Sequence, residues 1–417
     1  MAKPKGRFLR ISAAGVFFQG GTAAIDTTTI IAALVHGLTG SVWAVGAAAA
    51  IGRYGWLFPQ LFVAYFAQNT DRRMGFYMAG AFGRAACLVA LAALLLAAGN
   101  QGGVSVTIFF FGWWILYSFV SGIVAVPYND IVARSIPSQR RSRLLAIRFF
   151  GGGLLALLIA AAAHRILATM PFPSGYAVVI MLGASMLFLS AISFVSAGES
   201  PAPRTAHRPG FGPFLARGIE VVKTDRRFRL FLYSQWLGGA VVMALPFYVL
   251  AAVPEPSAGA GIAVLLAAQT IGALGSNLLW GWWGDRLGKR SLLEGVALLR
   301  ILPPLLTIAL GGWFGNAMVP SYSGFIGVFF LLGALANGGT IAVLGYLMEI
   351  SPDDRRPAYS GYFNALVAPA ALLPLLGAGI IEIVSLEAVF VVSLSAAILQ
   401  YLVIRALRGP RLAVRPS

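Results

Sequence analysis

Within the apolar stretches of this sequence only a few side chains can carry charge, and their types point to proton and anion chemistry. Asp26 follows Gln19 by seven residues, two helical turns, so the two share nearly one face. Arg53 lies in the next apolar run, at a depth from which its guanidinium reaches Asp26. A carboxylate in hydrocarbon is costly enough to be a functional candidate, and protonating it would release its arginine for an anionic ligand. A buried structural ion pair is the competing reading of the same two residues. Arg148 can offer a guanidinium to a carboxylate or phosphate, or snorkel to the surface. Asp130 precedes Arg134 by four residues and reads as its helical partner. Gln235, Asn337 and Asn364, with Trp236, Tyr248, Gln269, Asn277 and Thr340, add groups that can bond either a ligand or a neighbouring helix.

Other chemistries lack their residues. One cysteine, Cys87, and three histidines leave no metal-ligand set, and there is no Gly-x-x-x-x-Gly-Lys-Ser/Thr phosphate loop for an ATP-driven pump. No Ser-His-Asp set shares a plausible location, so an enzyme is not expected, nor is a cofactor.

The elements that must position these groups are membrane spans. The 417-residue chain is 59% hydrophobic and only 11% charged, against the roughly 25% of a soluble domain. Apolar runs of about 20 residues, enough to cross ~30 Å of hydrocarbon, recur near 9–34, 42–67, 75–98, 105–131, 144–168, 175–197, 229–253, 259–283, 291–313, 322–349, 358–383 and 387–405. A net charge of +17 would suggest nucleic acid in a soluble protein, but here it follows topology. All but five of the 31 lysines and arginines (Arg53, Arg84, Arg148, Arg165 and Arg300) fall at the termini or the even-numbered connections. The positive-inside rule then makes both termini cytoplasmic, in a multi-pass protein of an inner or plasma membrane.

The longest connection, proline-rich and basic, divides the chain into a six-span unit over 1–200, a linker over 201–228 and a second six-span unit over 229–417. The halves repeat weakly. Asp71-Arg72 follows the second span as Asp285-Arg286 follows the eighth, 214 residues on; Pro137-Ser-Gln-Arg-Arg141 follows the fourth as Pro352-Asp-Asp-Arg-Arg356 follows the tenth, 215 on. The connection after the eighth span reads Gly281-x-x-x-Asp285-Arg286-x-Gly288-Lys289-Arg290, and Glu199-Ser-Pro201 ends the sixth span. In these residues and in its topology the chain resembles the major facilitator superfamily, whose loop signature is Gly-x-x-x-Asp-Arg/Lys-x-Gly-Arg/Lys-Arg/Lys. The first-half copy keeps only Asp71-Arg72 and a displaced glycine.

The resemblance implies an all-α polytopic protein: twelve transmembrane helices in two pseudo-symmetric bundles around a central cavity, with spans 3, 6, 9 and 12 outside it. Arg84 and Arg300, on spans 3 and 9, then read as structural. Gly281 and Gly288 are expected to permit close backbone packing. Asp285, Arg286, Lys289, Arg290, Asp71 and Arg72 are expected to form conformational latches with groups such as Glu199 and Arg134. The expected function is secondary transport, by symport or another coupling, of a small anionic or zwitterionic solute through rocking of the bundles, with a proton at Asp26 and the lipid bilayer and a small molecule as the partners of a monomer. Efflux of amphipathic compounds, and a non-transporting sensor or assembly factor on a carrier fold, are the alternatives.

Overall fold

The computed structural model describes residues 4–68, 72–99, 103–136, 138–199, 220–253, 259–311, 322–351 and 356–407. Every element in them is helical, as chain buried in lipid requires, since the backbone must satisfy its own hydrogen bonds. The first half comprises α1a (Pro4–Ala23), α1b (Ile30–Thr39), α2 (Val42–Gln68), α3 (Met74–Ala98), α4 (Val104–Ser135), α5 (Ser138–Thr169) and α6 (Ser174–Val195). The second comprises α7a (Arg226–Val242), α7b (Tyr248–Ala252), α8 (Gly259–Arg286), α9a (Lys289–Leu299), α9b (Leu302–Leu310), α10 (Tyr322–Ile350), α11a (Arg356–Val367), α11b (Leu373–Ile383) and α12 (Leu386–Ala406). Ten of the twelve spans are long and apolar enough on their own to cross a membrane. The other two are the first, which is broken, and α2, which carries Arg53, Pro59 and Gln60. This is a multi-pass integral membrane protein.

Four spans are interrupted, and the local sequence explains each. Pro246 sits in the short 3₁₀ turn between α7a and α7b, Pro303 and Pro304 open α9b, and Pro369 lies in the 3₁₀ turn before α11b. The first span breaks over residues 24–29 with no proline. There Asp26 accepts local hydrogen bonds from Thr28 and Thr29 in place of the helix ladder. Most of the expected linker, residues 201–219, lies outside the described residues.

Packing across the seam is uneven. The basic face carries the amino-terminal end of α1a and the connections rich in arginine. In the half of the molecule away from it, one continuous apolar core contains residues of both units, among them Leu34, Val45, Val249 and Ala378. There α2 meets α11b so closely that a methyl on Gly46 would stand 2.7 Å from the Pro374 carbonyl oxygen. In the half nearer the basic face the cores are separate: one lies entirely in the first unit, around Tyr77 and Phe194, and the other entirely in the second, around Phe231 and Trp280. Among the described residues, the two halves share an apolar core at one end only.

Candidate solute and proton site

A chamber of about 200 Å³ lies on the seam, walled by α1a, α5, α8 and α10. Its polar lining includes Gln19, Asp26, Gln269, Thr270, Asn277 and Asn337. Helices can approach here because Gly152 lies under Gln19 and Gly153 under Leu274, with no room for a side chain at either glycine. Asn337 is held by the second unit, donating from Nδ2 to the Ala273 carbonyl and to Asn277 Oδ1, each at 3.1 Å.

Asp26 enters the chamber from the break in the first span. Its Oδ1 accepts from the Thr28 backbone N–H at 2.9 Å, the Thr28 hydroxyl at 2.6 Å and the Thr29 hydroxyl at 3.0 Å. The Thr28 hydroxyl also lies 3.3 Å from Gln269 Oε1, across the seam. A hydroxyl has one hydrogen to donate, so these two acceptors compete for it. Asp26 and Arg53 do not pair. The break turns Asp26 toward α5 and α8, while Arg53 lies two turns along α2 from Gly46, on the face directed at the 3₁₀ turn before α11b. Arg53 is exposed and does not line the chamber.

A second cavity, of about 190 Å³, lies within the first half. Arg84 reaches it from α3 and Arg148 from α5, and their guanidinium carbons lie 4.9 and 5.2 Å from the centre of the Phe18 ring. Arg148 passes over Gly15, where a methyl would stand 2.8 Å from its Cγ, and donates to the Tyr128 hydroxyl at 3.3 Å. Arg84 is only 4% exposed. Both Nε atoms and the Ser121 hydroxyl oxygen lack hydrogen-bond partners, and no carboxylate is among the described residues that line the cavity. An uncompensated buried guanidinium costs several kcal/mol, and a second like charge against the same ring adds to that. Arg84 does not line the seam chamber; it enters a cavity within its own half. Its long side chain carries the charge past the helix and into the bundle.

Arg300, its counterpart 216 residues on, also points inward, from the end of α9a. Glycines make its path: a methyl on Gly238 or Gly339 would stand 3.2 or 2.5 Å from its terminal nitrogens. It donates to Gln400 Oε1 at 3.3 Å, and Gln400 in turn donates to the Ser234 carbonyl at 2.9 Å. The adjoining cavity is small, about 70 Å³. Gln235 is buried and donates to its neighbour Ser234, and Asn364 is exposed on α11a; neither lines the chamber.

At the basic face the two halves differ again. Glu199 accepts from the backbone N–H groups of Arg73 and Met74, both at 2.8 Å, and so caps the start of α3. It also accepts from Arg134 Nη2 at 2.8 Å, while Asp130 pairs with both Arg134 and Arg73. Burial alone would lower the Arg134 pKa, but the hydrogen bonds to Glu199 and Asp130 outweigh it and raise it. In the second half Asp285 pairs with Lys289, at 2.9 Å on an exposed surface, and Arg286 lies over the ring of Trp282. Arg290 and Arg405 stand 4.0 and 3.9 Å from Glu294. Gly281 faces open space, and Gly288 is required for its φ of +89° at the start of α9a, so neither glycine serves close packing. Each of these ion pairs stays within one half, so none of them bridges the seam in this conformation. Asp71 lies outside the described residues, and Arg72 is exposed.

Two of these features had signals in the sequence that composition obscured. The Asp26-Thr-Thr-Thr29 run is a local capping pattern that marks the break. The 216-residue spacing of Arg84 and Arg300 nearly equals that of the loop repeats, which ties both arginines to the duplicated framework.

Two half-bundles, a seam chamber and pseudo-equivalent charges define a particular architecture. Residues 256–416 match the family model of the Major Facilitator Superfamily. The fold is that of major facilitator superfamily transporters. A mutant form of the nucleoside transporter NupG superposes with a TM-score of 0.73 at 12% identity, covering 97% of this chain and 100% of its own. A POT family transporter in complex with a thioalcohol-conjugated peptide superposes with a TM-score of 0.71 at 11% identity, covering 96% and 95%. In sequence, an uncharacterised protein of Mycobacterium tuberculosis is 24% identical over 362 residues, 85% of this chain and 68% of that protein.

Proposed function

We propose that this chain is a secondary active transporter that moves a small organic anion or zwitterion by alternating access, with a proton at Asp26 coupled to the movement of the halves. The observation that carries the reading is the one-sided seal: a polar chamber on the seam, with a continuous apolar core at one end and separate cores at the other. Rocking the halves about that chamber would break one seal and form the other. The positive-inside distribution supports a cytoplasmic basic face in a bacterial-type inner membrane, so the chamber would open inward here. The sign of the solute follows from Arg53, Arg84 and Arg148 at mid-depth, against a single acid, Asp26, whose Oδ1 is already occupied by threonines.

The coupling step uses the contested Thr28 hydrogen. With Asp26 ionised, the hydroxyl donates to the carboxylate. When a proton binds Asp26, the acid becomes a weaker acceptor and the hydroxyl turns to Gln269 on the other half, which strengthens the closed end. Protonation thus favours the conformation described, and deprotonation releases it. Proteoliposomes test this directly. Asp26→Asn is expected to keep solute exchange but lose accumulation driven by a pH gradient, with Thr28→Val weakening the same coupling. Gradient-driven accumulation that survives Asp26→Asn at the wild-type level would refute the coupling.

A further inference from the structure

We infer that the cavity inside the first half, rather than the seam between Asp26 and Arg53, binds the anionic group of the solute, with Arg84 and Arg148 as its paired ligands. This rests on the anion-transport reading above and assigns its charge-selecting site. Arg84 is only 4% exposed, its Nε has no hydrogen-bond partner, and it lines a cavity that holds a second guanidinium and, among the described residues, no acid. A protein does not gain stability by holding two such charges together without a counter-ion, whereas a bound carboxylate would neutralise them. The other half supplies a control. Arg300 has a neutral amide partner in Gln400, and its cavity is about 70 Å³, too small for a solute.

The walls describe the remainder of the ligand. Phe18, Tyr77, Tyr128 and Trp56 line the cavity beside the guanidiniums. The volume of the cavity is about 190 Å³. A planar aromatic monocarboxylate fits that volume and those surfaces, held by its carboxylate on the arginines and by its ring among the aromatic side chains. Asn129, exposed on α4 at the rim, marks the approach.

The test uses the purified full chain in detergent with benzoate as the probe, and acetate, inorganic phosphate, benzamide and choline as comparators. Benzoate is expected to raise the melting temperature of the wild-type protein and of Arg300→Gln, and to leave Arg84→Gln and Arg148→Gln unmoved; benzamide and choline are expected to have no effect on any of them. Arg84→Met guards against misfolding, because removing an uncompensated charge should leave its ligand-free melting temperature at or above that of the wild type. Equal benzoate shifts in wild type and Arg84→Met, or no shift with any anion in wild type, would overturn the site. Counterflow in proteoliposomes separates the two levels. If the wild type exchanges organic anions and Arg84→Gln matches its KM, the site is wrong and the transport reading stands. Benzoate binding that is lost in Arg84→Gln, without flux of any anion in wild type, keeps the site and removes the transport reading.

Discussion

Arg84 and Arg300 occupy corresponding points in the third span of each half, and the two halves hold them differently. The second half gives Arg300 an amide partner anchored to backbone, and threads the guanidinium between two glycines. The first half leaves Arg84 against an aromatic ring beside another arginine, with an empty donor. At the basic face the order is reversed: the first half satisfies its charges in a partly buried network around Glu199, while the second leaves Asp285 with one exposed lysine. Arg84 and Arg300 stand 216 residues apart, nearly the spacing of the loop repeats. Each half has completed the bonding of one set and left the other open, and the open set at mid-depth is where a ligand can act.

Substitutions can break this comparison, beginning with the largest effect. Glu199→Ala removes the acceptor of Arg134 and of two backbone N–H groups, and should cost about 2–4 kcal/mol, read as a fall of several degrees in a detergent melting curve. Gln400→Leu strips Arg300 of its partner and should cost about 1–3 kcal/mol by the same measurement. Arg84→Met, at the equivalent place in the other half, should leave the ligand-free melting temperature unchanged or raise it. Asp285→Ala, in the loop whose sequence fits the superfamily signature best, should shift it by no more than ~0.5 kcal/mol, because its pair is exposed. If Arg84→Met and Gln400→Leu destabilised equally, the difference drawn between the two arginines would disappear.

Much of this molecule was legible in its sequence. Hydropathy placed the twelve spans, and the prolines marked three of the four interruptions. Asp130 and Arg134 pair as their spacing predicts. The signature at Gly281 to Arg290 led to the right fold, but which contacts its charges make was not legible, since a motif records residue types and not how deeply a loop is buried in a given conformation. The direction of a side chain about its helix axis was also hidden. Asp26 lines the seam chamber and Arg53 does not, because a break in the first span, set by Asp26 and its threonines, redirects the acid. The place of its span reads Arg84 as structural, and that its charge enters a cavity of the first half was not legible, because an arginine is long enough to carry its charge into the bundle.

Counterflow in proteoliposomes, comparing labelled small organic anions with cations and neutral solutes for the wild-type protein and Arg148→Ala, tests the central claim most directly. Exchange of anions alone is expected, largely lost in Arg148→Ala while that variant keeps its normal melting behaviour. Exchange of a cation or neutral solute at a rate indifferent to Arg148 would contradict the claim.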